Sequence, residues 1–140
     1  MKKAVVLSIC GTQYYPGQDP DVIELVTDGT LEERDGGWDI CYEETELTGL
    51  AGVTTTFRLE PGTVILERTG RLQSKMIFQQ GIAHESLYQM EFGALMLTVC
   101  AQMIEASIGW QGGVVDLQYS IAIENSDAGQ VEYHLEIRPK

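Results

Sequence analysis

Arg68, Arg71 and Lys75 crowd into one stretch, VILERTGRLQSKMIF, of a chain with nine Lys and Arg against 21 Asp and Glu. Arg68 keeps a two-residue step with Val64 and Leu66, so on a strand its guanidinium shares their apolar face. Upstream, Trp38, Ile40, Tyr42, Glu44 and Glu46 keep the same step and place carboxylates on an apolar face as well. A guanidinium grips carboxylate or phosphate through a planar, bidentate fork. A carboxyl in an apolar mouth can do acid–base work if burial raises its pKa, although a neighbouring guanidinium opposes that shift. An inward charge is costly unless paired. Two arrangements therefore compete. In one, Glu44 and Arg68 lock together and seal one end of a filled interior. In the other, Arg68, helped by Arg71 or Tyr42 and with Glu44 beside it in the candidate ligand site, holds the anionic head of a small amphipathic ligand whose apolar part enters the barrel. Lys75, and on the simpler view Arg71, are solvated turn charges.

Other familiar chemistry is missing. His84 and His134 are the only histidines and lack the spacing of a zinc or iron site, so no metal and no cofactor are expected. His134 reads as solvated on the polar face of a strand, and His84, in GIAHES, as surface in a bend. Cys10, Cys41 and Cys100 form no C-x-x-C pair and read as reduced, buried thiols. Neither G-x-S-x-G nor a P-loop occurs, and the glycines of TGLAGVTTT precede a strand, so turn chemistry explains them. Glu43, Glu44 and Glu46 lack the spacing of an EF-hand loop. No catalytic residue is assigned.

The elements that must position Glu44 and Arg68 have a period of two. In GQVEYHLEIRP, Val131, Tyr133, Leu135 and Ile137 oppose Glu132, His134, Glu136 and Arg138. Val115, Leu117, Tyr119, Ile121 and Ile123 form a similar face, and the polar piece 125–129 joins the two strands as a hairpin. Further strands are expected near 3–12, 22–33, 38–46, 53–60, 63–70, 74–80, 86–92 and 94–108. Turn residues punctuate them, at 35–37, 48–49, 60–62, 70 and 112–113, while Phe92-Gly93 reads as a bend. FGALMLTVCAQMIEASIG has helix-forming residues, but its alternation from Leu95 to Met103 favours a long strand. A single helical turn is expected within 19–26. One domain spanning 1–140 follows from length. A meander this long leaves two edges unless it closes. The expected fold is an all-β, closed or nearly closed antiparallel up-and-down barrel of about 8–10 strands, with a sandwich as the alternative. Consecutive strands would bring Glu44 and Arg68 to one mouth, two strands and about 10 Å apart.

The net charge is −12, and residues 19–46 hold eleven acids and one cation, a local charge of −10. A basic footprint is absent, so neither nucleic acid nor an anionic membrane is expected as a partner. The apolar run before Cys10 spans Ala4–Ile9, shorter than the ~7–15 residues of a signal core, and the segment reads as a strand of a cytoplasmic protein.

The run ICYEETELTGLAGVTTTFRLEPGTVILERTGRLQSKMIFQQG, continued by ESLYQMEFGALMLTV, resembles the small bacterial YwiB-like proteins. The resemblance rests on Tyr42 and Glu44, Gly49, Thr54 to Thr56, Arg68-Thr69-Gly70, Met76, Phe78, Tyr88 and Phe92-Gly93; Met90 stands where a threonine is expected. It implies a lipocalin-like, calycin-type barrel and a cytosolic setting. It implies no activity and transfers no site residue. Three functions remain open: a barrel binding a small amphipathic or anionic ligand, a filled barrel meeting a protein partner through its acidic face, and, least supported, an enzyme with Glu44 as acid or base. A homodimer is compatible with any of them.

Overall fold

Alternating apolar and polar residues make nearly the whole chain strand. The computed structural model describes residues 2–140, and of Asp127 and Ala128 the backbone alone. Its strands are β1 (Lys2–Tyr14), β2 (Asp21–Arg34), β3 (Gly37–Glu43), β4 (Val53–Glu60), β5 (Thr63–Gly70), β6 (Ser74–Gln79), β7 (Ala83–Met90), β8 (Gly93–Gly109), β9 (Gly112–Ile123) and β10 (Ser126–Pro139). They form one antiparallel sheet in the order β6-β5-β4-β3-β2-β1-β10-β9-β8-β7. The sheet curls until its outer strands meet. Gln73 and Gln89 exchange backbone N–H···O bonds of 2.9 and 2.8 Å, the Ser86 hydroxyl donates to the Lys75 carbonyl at 2.5 Å, and Gly81 N donates to Ala101 O at 2.8 Å. The all-β, nearly closed up-and-down barrel is thus the observed architecture. Among the described residues no helix is long and apolar enough to cross a membrane.

Register fixes heights inside the barrel. On β3–β6, Trp38–Leu59–Val64–Phe78 form one inward row and Ile40–Phe57–Leu66–Met76 the next. Opposite them, Val5, Leu7, Val115, Leu117, Leu135 and Ile137 are also buried, so side chains fill the interior here, and a second cavity of about 270 Å³ lies at the β4–β5 turn beside Leu59, Val64 and Ile104. The third row is Tyr42–Thr55–Arg68–Ser74. Its apolar residues have given way to polar ones on all four strands.

Several expectations are corrected. Residues 19–26 hold no helical turn: Asp21 begins β2, because Val22, Ile23, Leu25 and Val26 favour a strand and pair along β1. The one helical turn described is a 3-10 turn at Glu46–Thr48, after β3 has ended at Glu43. Thr45 caps its start by accepting from Leu47 N, and Gly49 ends it at φ 77°. Glu46 is consequently exposed in a loop rather than inward on a strand. The 93–109 segment is the long strand expected, but a bulge between Ala101 and Met103 moves the inward face onto Ile104. Phe92-Gly93 belongs to a hairpin turn, closed by Met90 opposite Gly93. The last hairpin turns through Glu124 and Asn125, both at positive φ, rather than across 125–129. Cys10, Cys41 and Cys100 are half-buried free thiols rather than core residues, each next to a buried inward residue and so facing outward. His84 lies within β7 rather than in a bend.

Candidate functional site

Above the packed end the barrel is hollow. A cavity of about 490 Å³ opens at the end bounded by the 15–20 and 44–52 loops. Its walls differ in chemistry. On one side Ile9, Leu25, Leu97, Ile121, Ile123 and Val131 give an apolar surface; on the other stand Tyr42, Glu44 and Arg68, with Tyr119 and Tyr133 nearby.

The polar wall is built by strand alternation. Tyr42, Thr55 and Arg68 are lateral neighbours on β3, β4 and β5. Glu44 follows β3, held in line by its N–H donating to the Val53 carbonyl at 2.8 Å. Its carboxylate is buried and well supplied with donors. Thr55 Oγ1 donates to Oε2 at 2.5 Å and Thr48 Oγ1 donates to Oε1 at 2.9 Å. Arg68 Nε is 4.0 Å from Oε2, within ion-pair range and beyond hydrogen-bond range. That Nε is buried with no hydrogen-bond partner among the described residues. The expected pair is therefore a loose one: two threonine hydroxyls, not the guanidinium, satisfy Glu44.

Three tyrosines complete the wall. The Tyr42 and Tyr133 hydroxyls are 3.4 Å apart, Tyr133 leans on Phe57, and Tyr119 leans on Phe78. Burial pushes the Tyr119 hydroxyl up to about 12, with the Arg68 charge pulling the other way. Burial also raises Tyr42 and Tyr133, and Arg68 again opposes the rise. All three stay protonated at neutral pH and remain hydrogen-bond donors. A guanidinium and phenolic hydroxyls facing one space can hold an anionic oxygen group, while the apolar wall can take a hydrocarbon body.

Of the four residues read from sequence, Tyr42, Glu44 and Arg68 line the cavity together. Arg71 does not. Gly70, at φ 112°, turns the chain outward, and the exposed Arg71 donates from Nε to the Ala51 carbonyl at 2.7 Å, tying down the 49–52 turn. Thr48, Thr55, Tyr119 and Tyr133 join Tyr42, Glu44 and Arg68, beyond the residues the sequence marks as a site. Strand alternation puts Thr55, Tyr119 and Tyr133 on inward faces, and Thr55 also falls within the stretch that carries the family resemblance, but neither signal marks a hydrogen-bonding role. The histidines are elsewhere: His84 Nε2 lies 2.8 Å from Gln79 Oε1, and His134 Nδ1 lies 2.5 Å from Asp116 Oδ1. No group of three His, Cys, Asp or Glu side chains among the described residues could hold a metal ion.

Comparison with known proteins bears on the fold and the family. No curated protein matches the chain. The solved structure described as the ywiB protein from Bacillus subtilis superposes with a TM-score of 0.88 at 19% identity, over 99% of this chain and 93% of the other. Its likeness carries the barrel fold. The family model described as "Domain of unknown function (DUF1934)" matches residues 7–137. The fold of that ywiB protein agrees with the YwiB-like resemblance of the sequence, and, with nearly its whole length inside the family match, the chain belongs to the DUF1934 family.

Proposed function

We propose that the barrel binds a small amphipathic anion, with its charged group at Arg68 and its apolar body against Ile9, Leu25, Leu97 and Ile121. The observation that carries this reading is the buried Arg68 Nε, left without an acceptor while both oxygens of its nearest carboxylate are taken by threonines. Buried donors normally have partners, and an orphan beside a cavity asks for one. The volume falls within the range of small-molecule sites. A monoanion suits the wall better than a dianion, because Glu44 already places a carboxylate 4.0 Å from the guanidinium. The hollow speaks against the filled-barrel alternative. Catalysis has no further support, since Glu44 is held by two hydroxyl donors and the tyrosines are locked in their protonated form. Three free thiols suit the reducing cytosol in which we place the protein.

Calorimetric titration with octanoate and dodecanoate, each against the alcohol of equal length, tests the reading. The carboxylates are expected to bind at least ~10-fold tighter, a difference of about 1.4 kcal/mol, and Arg68→Met should erase it. Equal affinity for acid and alcohol would sink the anionic site, and no binding of either would sink the ligand reading.

A further inference from the structure

The barrel wall has a gap that its strand count hides. β1 pairs with β2 from Gln13 opposite Asp21 to Lys2 opposite Glu32. On its other side β2 pairs with β3 only from Thr30 opposite Cys41 to Arg34 opposite Gly37. β3 then parts from β2 and runs on to Glu43 paired with β4 alone, before the chain enters the 44–52 loop. Residues 21–28 of β2 are thus a free edge, about 26 Å long at ~3.3 Å per residue, since Gly29 already lies against the Cys41 carbonyl of β3.

The edge is open rather than covered. Val22, Ile23 and Val26 are 55%, 50% and 67% exposed. Val22, Glu24, Val26 and Asp28 alternate on the outer face, whereas Asp21, Ile23 and Leu25 line the cavity. Thr48 and Leu50 line it from the 44–52 loop. The β2 edge and that loop therefore flank the same cavity.

Exposed strand edges are templates for another strand, and proteins commonly block them with lysine, proline or a bulge. This one carries none of these. Its charges are Asp21, Glu24 and Asp28, and the one cation paired with them among the described residues is Lys140, whose Nζ lies 3.2 Å from Asp28 Oδ1. A second copy pairing antiparallel about Leu25 would gather six carboxylates on one two-stranded ribbon. Like charges on adjacent strands oppose pairing, so the acids select against self-association.

We infer that the free edge of β2 takes an added strand from a basic, extended peptide segment of a protein partner. Its backbone pairs with residues 21–28. Its outward side chains are Lys or Arg and meet Glu24 and Asp28. Its inward side chains are apolar and rest on Ile23 and Leu25 at the side of the cavity. Backbone bonds give such a complex its affinity, and the alternate side chains give it selectivity.

The probe is a capped eight-residue peptide of alternating Lys and Val, added to the full chain. Its comparison peptide has proline in place of the two central valines, which keeps the charge and removes the pairing. Binding is followed by fluorescence anisotropy and amide hydrogen exchange. The Lys/Val peptide is expected to slow exchange within 21–28 and to bind at least ~10-fold tighter than the proline peptide. The exposed double change Glu24→Lys with Asp28→Lys should weaken it at least ~10-fold while leaving the unfolding temperature close to that of the parent. Equal binding of the two peptides would reduce the interaction to charge alone and overturn the proposal. So would failure of the Lys/Val peptide to bind, or protection elsewhere, such as at β6 and β7. Protection of 21–28 that grows with protein concentration and needs no peptide would overturn it in favour of a second copy.

Discussion

A buried carboxylate depends on whichever groups actually touch it, and for Glu44 these are the hydroxyls of Thr48 and Thr55. Thr55→Val keeps the shape and removes the 2.5 Å donor, so it should cost about 1–3 kcal/mol of stability in urea denaturation. Arg68→Met keeps the apolar stem and loses no hydrogen bond to Glu44, so the change should stay under about 1 kcal/mol. The reverse ranking would make the ion pair the dominant lock. A second residue with a clear pH signature is His134. The hydrogen bond to Asp116 raises its pKa above 6.5, with a further contribution from Glu136. A raised folded pKa contributes stability that is full below pH 6.5 and fades as the pH rises through the folded value. Solvent screening keeps the effect small, since the side chain is 44% exposed. Thermal unfolding measured from pH ~6 to ~9 should show this decline, and His134→Gln should flatten it. At this scale the sequence disclosed which side chains point inward: Tyr42, Glu44 and Arg68 follow from alternation alone. It did not disclose what they bond. Thr55 keeps the two-residue step like Phe57 next in its series, and only the folded chain brings its hydroxyl onto Glu44. Tyr119 and Tyr133 reach the site from strands far along the chain.

Elements were legible where alternation ran unbroken and illegible where one residue disturbed it. β4, β5 and β6 stand close to where their patterns put them. In β8 the extra residue at the bulge shifts every later side chain, so Met103 leaves the inward series that Leu95 seemed to begin. The early end of β3 was hidden because Glu44 still points inward just past it. The parting of β3 from β2 after Cys41 creates the free edge of β2. Close approach fixes the other side of the same loop. A Cβ on Gly70 would lie 2.3 Å from the Gly52 carbonyl oxygen, at a φ of 112° that side chains rarely adopt. Gly49 shares the positive φ but has nothing within 4 Å of such an atom. Gly49→Ala should therefore cost about 1–2 kcal/mol from backbone conformation alone, and Gly70→Ala clearly more. Paired denaturant titrations measure both. Equal losses would mean that the β5 end moves freely away from the 49–52 turn.

For the whole molecule, the barrel was legible from strand number and the need to hide edges, and the local charge of −10 from composition. The hollow end was not, because cavity volume depends on how ten inward faces meet across the interior. Nor was the place of closure. β1 pairs with β10 inside the sheet, while the ladder is least complete between β6 and β7, which are neighbours in sequence. This has a kinetic consequence. In the natural connectivity the β1–β10 ladder joins residues separated by most of the chain, a loop whose closure is expected to slow folding. The two ends lie side by side, Val5 opposite Pro139 and Lys140 N donating to the Ala4 carbonyl. Joining Lys140 to Lys2 through a short linker and opening the chain at Gly81 gives β7-β8-β9-β10-β1-β2-β3-β4-β5-β6, in which every full ladder joins consecutive strands. Stopped-flow refolding of this permutant should be faster than that of the parent. Its one distant contact, the sparse β6–β7 closure, can then form last, over a barrel already standing.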